Sequence, residues 1–319
     1  MHYQLIPERA VQAAGRIGDY IRQTPMEYSA YLSALTGANV WLKLDNLQIT
    51  GSFKLRGAFN KLLCLSPQQA AMGCVAASSG NFGAAVAYAM NKLGIEGVIF
   101  VPEKASSAKV DAIRRAGAEV QFFGTDGLDT EDHARQFAAD KGMTYLSPYN
   151  DADVIAGQGT CGVEIAKQVG HIDALFVAVG GGGLIAGVAG YLKSVHPRMQ
   201  VVGCQPAASA VMAASSKAGR LLNIASEPTL SDGTAGGIET GAITFELCQA
   251  LVDDYVLVSE DDIAQAMREF IDAHHMLLEG AAAVPLAALK QLGDRYQGRD
   301  VVAIICGANI SRDTLRRII

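Results

Sequence analysis

Short runs made mostly of apolar residues recur along the chain: Val40-Trp41-Leu42-Lys43-Leu44, Gly73-Cys74-Val75-Ala76-Ala77, Val98-Ile99-Phe100-Val101, Glu119-Val120-Gln121-Phe122-Phe123, Leu175-Phe176-Val177-Ala178-Val179, Val201-Val202-Gly203-Cys204, Val256-Leu257-Val258 and Val301-Val302-Ala303-Ile304-Ile305. Runs of this length, bounded by glycine, proline or polar turn residues, predict strands buried on both faces. Between them lie stretches with helical spacing, among them 58–63, 84–90, 106–117, 130–141 and 184–192. Strands alternating with helices predict parallel sheets joined by crossovers, an α/β fold. Residues 1–39 read as two short helices around the turn signal Thr24-Pro25, and 213–245 as a glycine-rich loop without a period. Ser259 followed by Glu260, Asp261 and Asp262 predicts a capped helix running to His274-His275. Adjacent histidines project about 100° apart on a helix and cannot share a ligand.

Composition narrows the function. The chain has 319 residues, 50% of them hydrophobic and 18% charged, enough for a large buried core. A net charge of −6 without a basic block excludes a nucleic-acid footprint. No apolar run approaches the ~20 residues of a membrane span, and the segment from Met1 to Glu8 lacks a leader pattern, so a cytoplasmic location is expected. The 6 cysteines, at 64, 74, 161, 204, 248 and 306, show no pairing or zinc spacing. Small-molecule chemistry remains.

Four segments carry it. Thr50-Gly51-Ser52-Phe53-Lys54-Leu55-Arg56-Gly57-Ala58 puts Lys54 at a predicted helix start, where amides and dipole disfavour an ammonium and lower the pKa of the amine. A neutral amine is a nucleophile that can form a Schiff base with an aldehyde cofactor or a carbonyl substrate. Ser78-Ser79-Gly80-Asn81-Phe82-Gly83 joins a strand to a helix and predicts an amide cradle for a carboxylate. Gly180-Gly181-Gly182-Gly183-Leu184 does the same with four glycines, which let backbone approach a phosphate closely. Gly181, Gly183 and Ala186 also fit a dinucleotide fingerprint, but the following strand ends in Gln205, and the acidic residue expected roughly 20 positions on is missing. Val301 to Asn309 is an apolar strand that sets Cys306 at the carboxyl end of a sheet, where α/β sites form.

The lysine segment resembles the motif of pyridoxal 5'-phosphate enzymes of fold type II, in the form Ser-Phe-Lys-x-Arg-Gly-Ala of threonine and serine dehydratases and serine racemase. The other segments match that family in order and span most of the chain. The resemblance implies an α/β fold of two open, twisted, mostly parallel sheets flanked by helices, similar to tryptophan synthase β, with the cofactor between two domains. Residues 1–45 and 145–319 would form the larger domain and 46–144 a smaller, mobile one. It implies that Lys54 and Phe53 hold the cofactor, that Gly180, Gly181, Gly182, Gly183 and Leu184 hold its phosphate, and that Asn81 meets its ring hydroxyl. Cys306 would meet the pyridine nitrogen, where the family uses Ser, Thr or Cys. Ser78, Ser79, Gly80, Asn81 and Phe82 would bind the substrate carboxylate, with Ser79 an acid or base opposite Lys54.

Phe82 stands where the family usually has His, which bears on the substrate and not on the cofactor. Ile155 to Thr160 resembles a family packing segment, and Glu279 a glutamate that approaches the cofactor. Glu239, on a loop like one at the family's site entrance, could contact substrate or solvate a turn. Relatives bind a divalent cation through acidic residues near position 205; with Gln205, Ala207 and Val211 there, no metal is expected. The implied activity is dehydration of L-threonine, L-serine or a relative. Alternatives are an amino-acid racemase of the serine or aspartate type, a dehydratase for another 3-hydroxy amino acid, or a cofactor-binding protein without turnover. Ser231 to Phe245 also resembles dehydratases attributed to hydroxyectoine breakdown. The chain ends ten residues after Asn309, so no regulatory domain is expected. A homodimer is expected by the same resemblance.

Overall fold

The computed structural model describes residues 2–125 and 127–319; Met1, in the segment read for a leader, and Asp126 lie outside the described residues. Ten strands are described: β1 (Met26–Tyr28), β2 (Asn39–Lys43), β3 (Cys74–Ala77), β4 (Gly97–Val101), β5 (Glu119–Phe122), β6 (Thr144–Tyr145), β7 (Ala174–Ala178), β8 (Gln200–Pro206), β9 (Asp254–Val258) and β10 (Asp300–Ile304). They form a six-stranded sheet in the order β1-β2-β10-β7-β8-β9 and a four-stranded sheet in the order β5-β4-β3-β6. Every pairing is parallel except that of β1 with β2. The last strand of the smaller sheet in chain order is β6, at Thr144–Tyr145.

Both sheets are covered on two faces, as their apolar runs require. Alternate residues of β3 enter separate cores: Cys74 and Ala76 pack with Leu55, Phe59, Phe82 and Val86, whereas Val75 and Ala77 pack with Phe100, Ala134 and Ala138. The strands of the larger sheet share one core with the helices Gly183–Val195 and Gly280–Gln291. No helix of the described residues is long and apolar enough to cross a membrane.

The helix Ala152–Gln168 positions the site. It packs on the lysine helix Lys54–Leu63, and a Cβ on Gly157 would lie 2.6 Å from the carbonyl of Arg56. It also packs on Gly183–Val195, where a Cβ on Gly187 would lie 2.4 Å from the carbonyl of Ile155. Glycine is therefore required at both crossings, and the packing role expected of Ile155 to Thr160 has its physical basis here. Gln158 adds a hydrogen bond from Gly57 N–H to its Oε1, 3.2 Å.

Arg56 anchors the same helix. Its buried guanidinium donates to both oxygens of Asp45, at 2.7 and 2.8 Å, and to both of Glu164, at 2.6 and 2.9 Å. Lys43 donates to Glu164 at 2.6 Å, so two buried cations meet two carboxylates. Such a bidentate cluster fixes orientation as well as charge.

Three elements depart from the expectation. Between the helices Ile6–Ile17 and Ala30–Thr36 the chain forms β1, a three-residue edge strand too short to show a period. At the two ends of the stretch 213–245 expected to be loop, the helices Val211–Ala218 and Ile243–Leu251 overlap it. The first buries only Val211, Met212 and Ser215 on one face, and its alanines and serines leave little hydrophobic contrast.

Candidate active site

The lysine loop is held by the end of β10. Phe53 N–H donates to the Cys306 carbonyl at 3.0 Å and Ala308 N–H to the Gly51 carbonyl at 2.9 Å, with an antiparallel bridge between Ser52 and Gly307. Lys54 then opens its helix without a side-chain cap. Its amine donates to the Pro148 carbonyl at 3.1 Å and lies 5.1 Å from the ring centre of Phe53 and 5.7 Å from that of Phe82. Burial pushes its pKa down to about 8, partly opposed by the carboxylate of Glu279. The direction matches the expectation; the main cause is burial, where the sequence argued from the helix terminus.

The second segment follows β3. Ser78, Ser79 and Gly80 are half-buried, and Gly80 is the N-cap of the helix Asn81–Leu93, again with no side-chain cap, so first-turn amides stay open to a carboxylate. Gly80 N–H donates to Ser78 Oγ at 3.2 Å. Phe82 is buried and makes an apolar wall beside the Lys54 amine. Asn81 Nδ2 donates to both oxygens of Glu279, at 2.8 and 2.9 Å.

The third segment, after β7, turns at Gly182 with φ of +85°, a conformation that favours glycine, and enters the helix Gly183–Val195. Tyr149 lies against it: a Cβ on Gly181 would be 2.4 Å from the Tyr149 ring. Gly180 faces the backbone of Thr234, 3.0 Å from where its Cβ would lie. The loop is therefore bare backbone, and its helix has no side-chain cap. Leu184 is buried beneath it.

Cys306 is buried just past β10, and burial, with Glu279 beside it, raises its thiol pKa well above the usual range. A thiol that stays protonated can donate to a neutral ring nitrogen. Glu279 is 5% exposed, and burial raises its pKa against the hydrogen bond from Asn81. Glu239 does more than solvate a turn: it pairs with Arg135 at 2.5 Å, and Arg135 lies 4.2 Å over the ring of Tyr145. Together with Lys109–Asp232 at 2.8 Å, this pair ties the loop before Ile243 to helices flanking the smaller sheet. Gln205 spends its side chain on backbone, donating to Val179 O at 2.9 Å and accepting from Ala213 N–H at 2.8 Å. His274 lies 3.0 Å from Ser29 Oγ, and His275 ends its helix with φ of +55°. All six cysteines are free thiols, five of them buried.

Lys54, Phe53, Asn81, Phe82 and Cys306 are thus brought together, with the glycine loop joined to them through Tyr149 and Pro148. Pro148, Tyr149 and Asn309 carry no site role in the sequence argument, because their contributions are a carbonyl, a ring face and an amide that only the fold aims. These residues fit pyridoxal phosphate. A buried amine whose pKa is drawn down to about 8 suits its aldehyde, a cradle that admits no Cβ suits its phosphate, and a neutral thiol suits its ring nitrogen. Among the described residues four buried hydroxyls lack hydrogen-bond partners: Thr50 Oγ1 and Ser52 Oγ in the lysine loop, Tyr145 Oη, and Thr244 Oγ1, whose Cβ lies 3.1 Å from where a Gly182 Cβ would be.

A family model described as pyridoxal-phosphate dependent enzyme matches residues 17–307. The chain is 40% identical over 303 residues to the catabolic L-threonine dehydratase of Staphylococcus aureus, covering 94% of this chain and 87% of that one. Among solved structures it is similar to the processed form of threonine deaminase isoform 2 from Solanum lycopersicum, with TM-score 0.93, 34% identity and coverage of 98% and 92% of the two chains. It is also similar to maize serine racemase, with TM-score 0.92, 30% identity and coverage of 98% and 95%. The chain therefore belongs to the pyridoxal-phosphate dependent enzyme family, in its fold type II architecture.

Proposed function

We propose that the chain is a dehydratase, an ammonia-lyase that converts a β-hydroxy-α-amino acid such as L-threonine or L-serine to a 2-oxo acid and ammonia by α,β-elimination. The observation that carries this reading is the pairing of a buried amine of pKa about 8, Lys54, with a neutral thiol, Cys306, at the strand end. The names of the dehydratase and deaminase relatives support it. Bound pyridoxal phosphate supplies the electron sink that acidifies the substrate Cα–H.

The chain's own groups do the rest. Lys54, once free as a neutral amine, takes the Cα proton as general base. Amides of Ser78 to Phe82 hold the substrate carboxylate, and the Phe53 and Phe82 rings restrict water around the Lys54 amine. Asn81 would meet the ring oxygen of that cofactor, and Gly180 to Leu184 would hold its phosphate. Cys306 offers a neutral S–H where a carboxylate would keep the ring nitrogen protonated, and this favours elimination over transamination. In this reading residues 1–45 with 145–319, and 46–144, serve as the two domains of a cytoplasmic homodimer; light scattering and cell fractionation would test the assembly and its location.

A racemase is the second reading, favoured by the likeness to maize serine racemase and by Ser79, whose hydroxyl in the same loop could return a proton on the opposite face. Incubation with L-threonine, L-serine and their D forms separates the two. Stoichiometric 2-oxo acid and ammonia from an L-hydroxy amino acid support the dehydratase; inversion without ammonia rejects it.

A further inference from the structure

Asn309 closes the segment after β10 and has no part in the function proposed above. In the fold it joins three segments. Its Nδ2 donates to the Thr50 carbonyl at 2.9 Å and to Asn81 Oδ1 at 2.7 Å, and its backbone N–H donates to Glu279 Oε2 at 3.2 Å. Asn81 Nδ2 completes the chain of bonds by donating to both oxygens of Glu279.

An asparagine amide can turn end for end, and its partners alone decide which way it points. Both ends of this chain are groups that only accept. The Thr50 carbonyl requires Nδ2 of Asn309, and the same Nδ2 then requires Oδ1 from Asn81. From the other side, the Glu279 carboxylate requires Nδ2 from Asn81. The two constraints agree, so the Asn81 amide has one orientation.

The clamp is packed against bare backbone. A Cβ on Gly51 would lie 2.7 Å from Asn309 Oδ1, and one on Gly307 would lie 2.6 Å from Glu279 Oε1. The oxygens of one carboxylate span a narrower angle at Nδ2 than its two N–H bonds do, so a single N–H serves both. The second N–H of Asn81 is then available to the cleft.

We infer that Asn309 and Glu279 are positioning residues that lock the Asn81 amide nitrogen-first, so that the protein presents a donor to an oxygen on the cofactor ring. This rests on the proposed function in taking Asn81 as the partner of that oxygen.

Asn81→Asp and Glu279→Gln exchange amide and carboxylate across the bond. Asn81→Asp alone sets two carboxylates face to face, and Glu279→Gln alone leaves a single amide oxygen to accept where the carboxylate offered two; together they restore a donor–acceptor pair and keep the bond from Asn309. Denaturant unfolding of the four apoproteins is expected to show coupling, with the double variant recovering at least half of the summed loss. Titration with pyridoxal phosphate is expected to leave the double variant about tenfold weaker than the parent, because the donor is gone. Asn309→Leu is expected to weaken cofactor binding by a similar factor, and to lower kcat more than it raises KM, with its unfolding midpoint near the parent's. Additive unfolding losses, or parental cofactor affinity in either the double variant or Asn309→Leu, would overturn the lock. A parent that takes up no cofactor overturns the proposed function, while the unfolding cycle still tests the lock.

Discussion

The Lys54 amine donates to the backbone carbonyl of Pro148 across 3.1 Å, and the residue after that proline, Tyr149, lies against the glycine loop. The Lys54 amine and the glycine loop are therefore two neighbours of one short segment. Gly181→Ala places a methyl 2.4 Å from the Tyr149 ring atoms, so the ring must move and Pro148 with it. It is expected to cost roughly 1–3 kcal/mol of stability, as overpacking does, and to weaken pyridoxal phosphate binding at least about tenfold. Thermal unfolding and cofactor titration check both, and adding Tyr149→Ala should recover the stability loss but not the affinity.

The depressed pKa of Lys54 makes apoprotein stability depend on pH. Its folded value is about 8, below the ~10.4 of an unfolded lysine. Between those values the unfolded state binds more protons, so stability from this group rises with pH and is lost as pH falls through 8. Denaturant midpoints measured from pH 7 to 10.5 should climb more steeply for the parent than for Lys54→Met; parallel curves would show that the amine has an ordinary pKa.

Arg56 and Asp45 have side chains with 0% exposure, so removing one member leaves a buried charge without its partner. Arg56→Met should destabilise the protein by about 3–5 kcal/mol. Arg56→Lys keeps the charge but loses the fork that grips two carboxylates, and should fall between the parent and Arg56→Met. Urea unfolding monitors the series, and equal midpoints for all three proteins would remove the anchoring role of the cluster.

The two ion pairs that tie the loop before Ile243 to the smaller sheet's helices differ in burial. Lys109–Asp232 is exposed on both sides, so Asp232→Asn should change stability by less than about 1 kcal/mol. Arg135–Glu239 is more enclosed and stacked on Tyr145, so Glu239→Gln should have the larger effect and raise KM for the amino acid more than Asp232→Asn does. Steady-state kinetics at low and high salt distinguish them.

Much of this site was legible in the chain because it is local. Lys54, the Ser78 to Phe82 turn, the four glycines and Cys306 each sit at a strand or helix end, and each end announces itself through a change of period or a cluster of small residues. What stayed hidden is long-range. Lys43, Asp45, Arg56 and Glu164 are scattered along the chain as ordinary charges, and only the packing of three segments makes them one buried cluster. Asn309 and Glu279 meet Asn81 across 228 and 198 residues, so no spacing rule could pair them. Glu239 was open between substrate and solvent because its partner Arg135 lies on a helix of the other sheet. The strand Met26–Tyr28 and the helix Val211–Ala218 escaped for the opposite reason: each is short or low in contrast, and tertiary pairing decides its state.

The central claim is that Lys54 carries the cofactor, and the absorbance of purified protein beside Lys54→Ala, each with pyridoxal phosphate added, tests it most directly. The account predicts a visible band from lysine-bound cofactor in the parent that is lost in the variant, with 2-oxo acid formed from L-threonine or L-serine by the parent alone. An identical band in both proteins, or no bound chromophore in either, would contradict it.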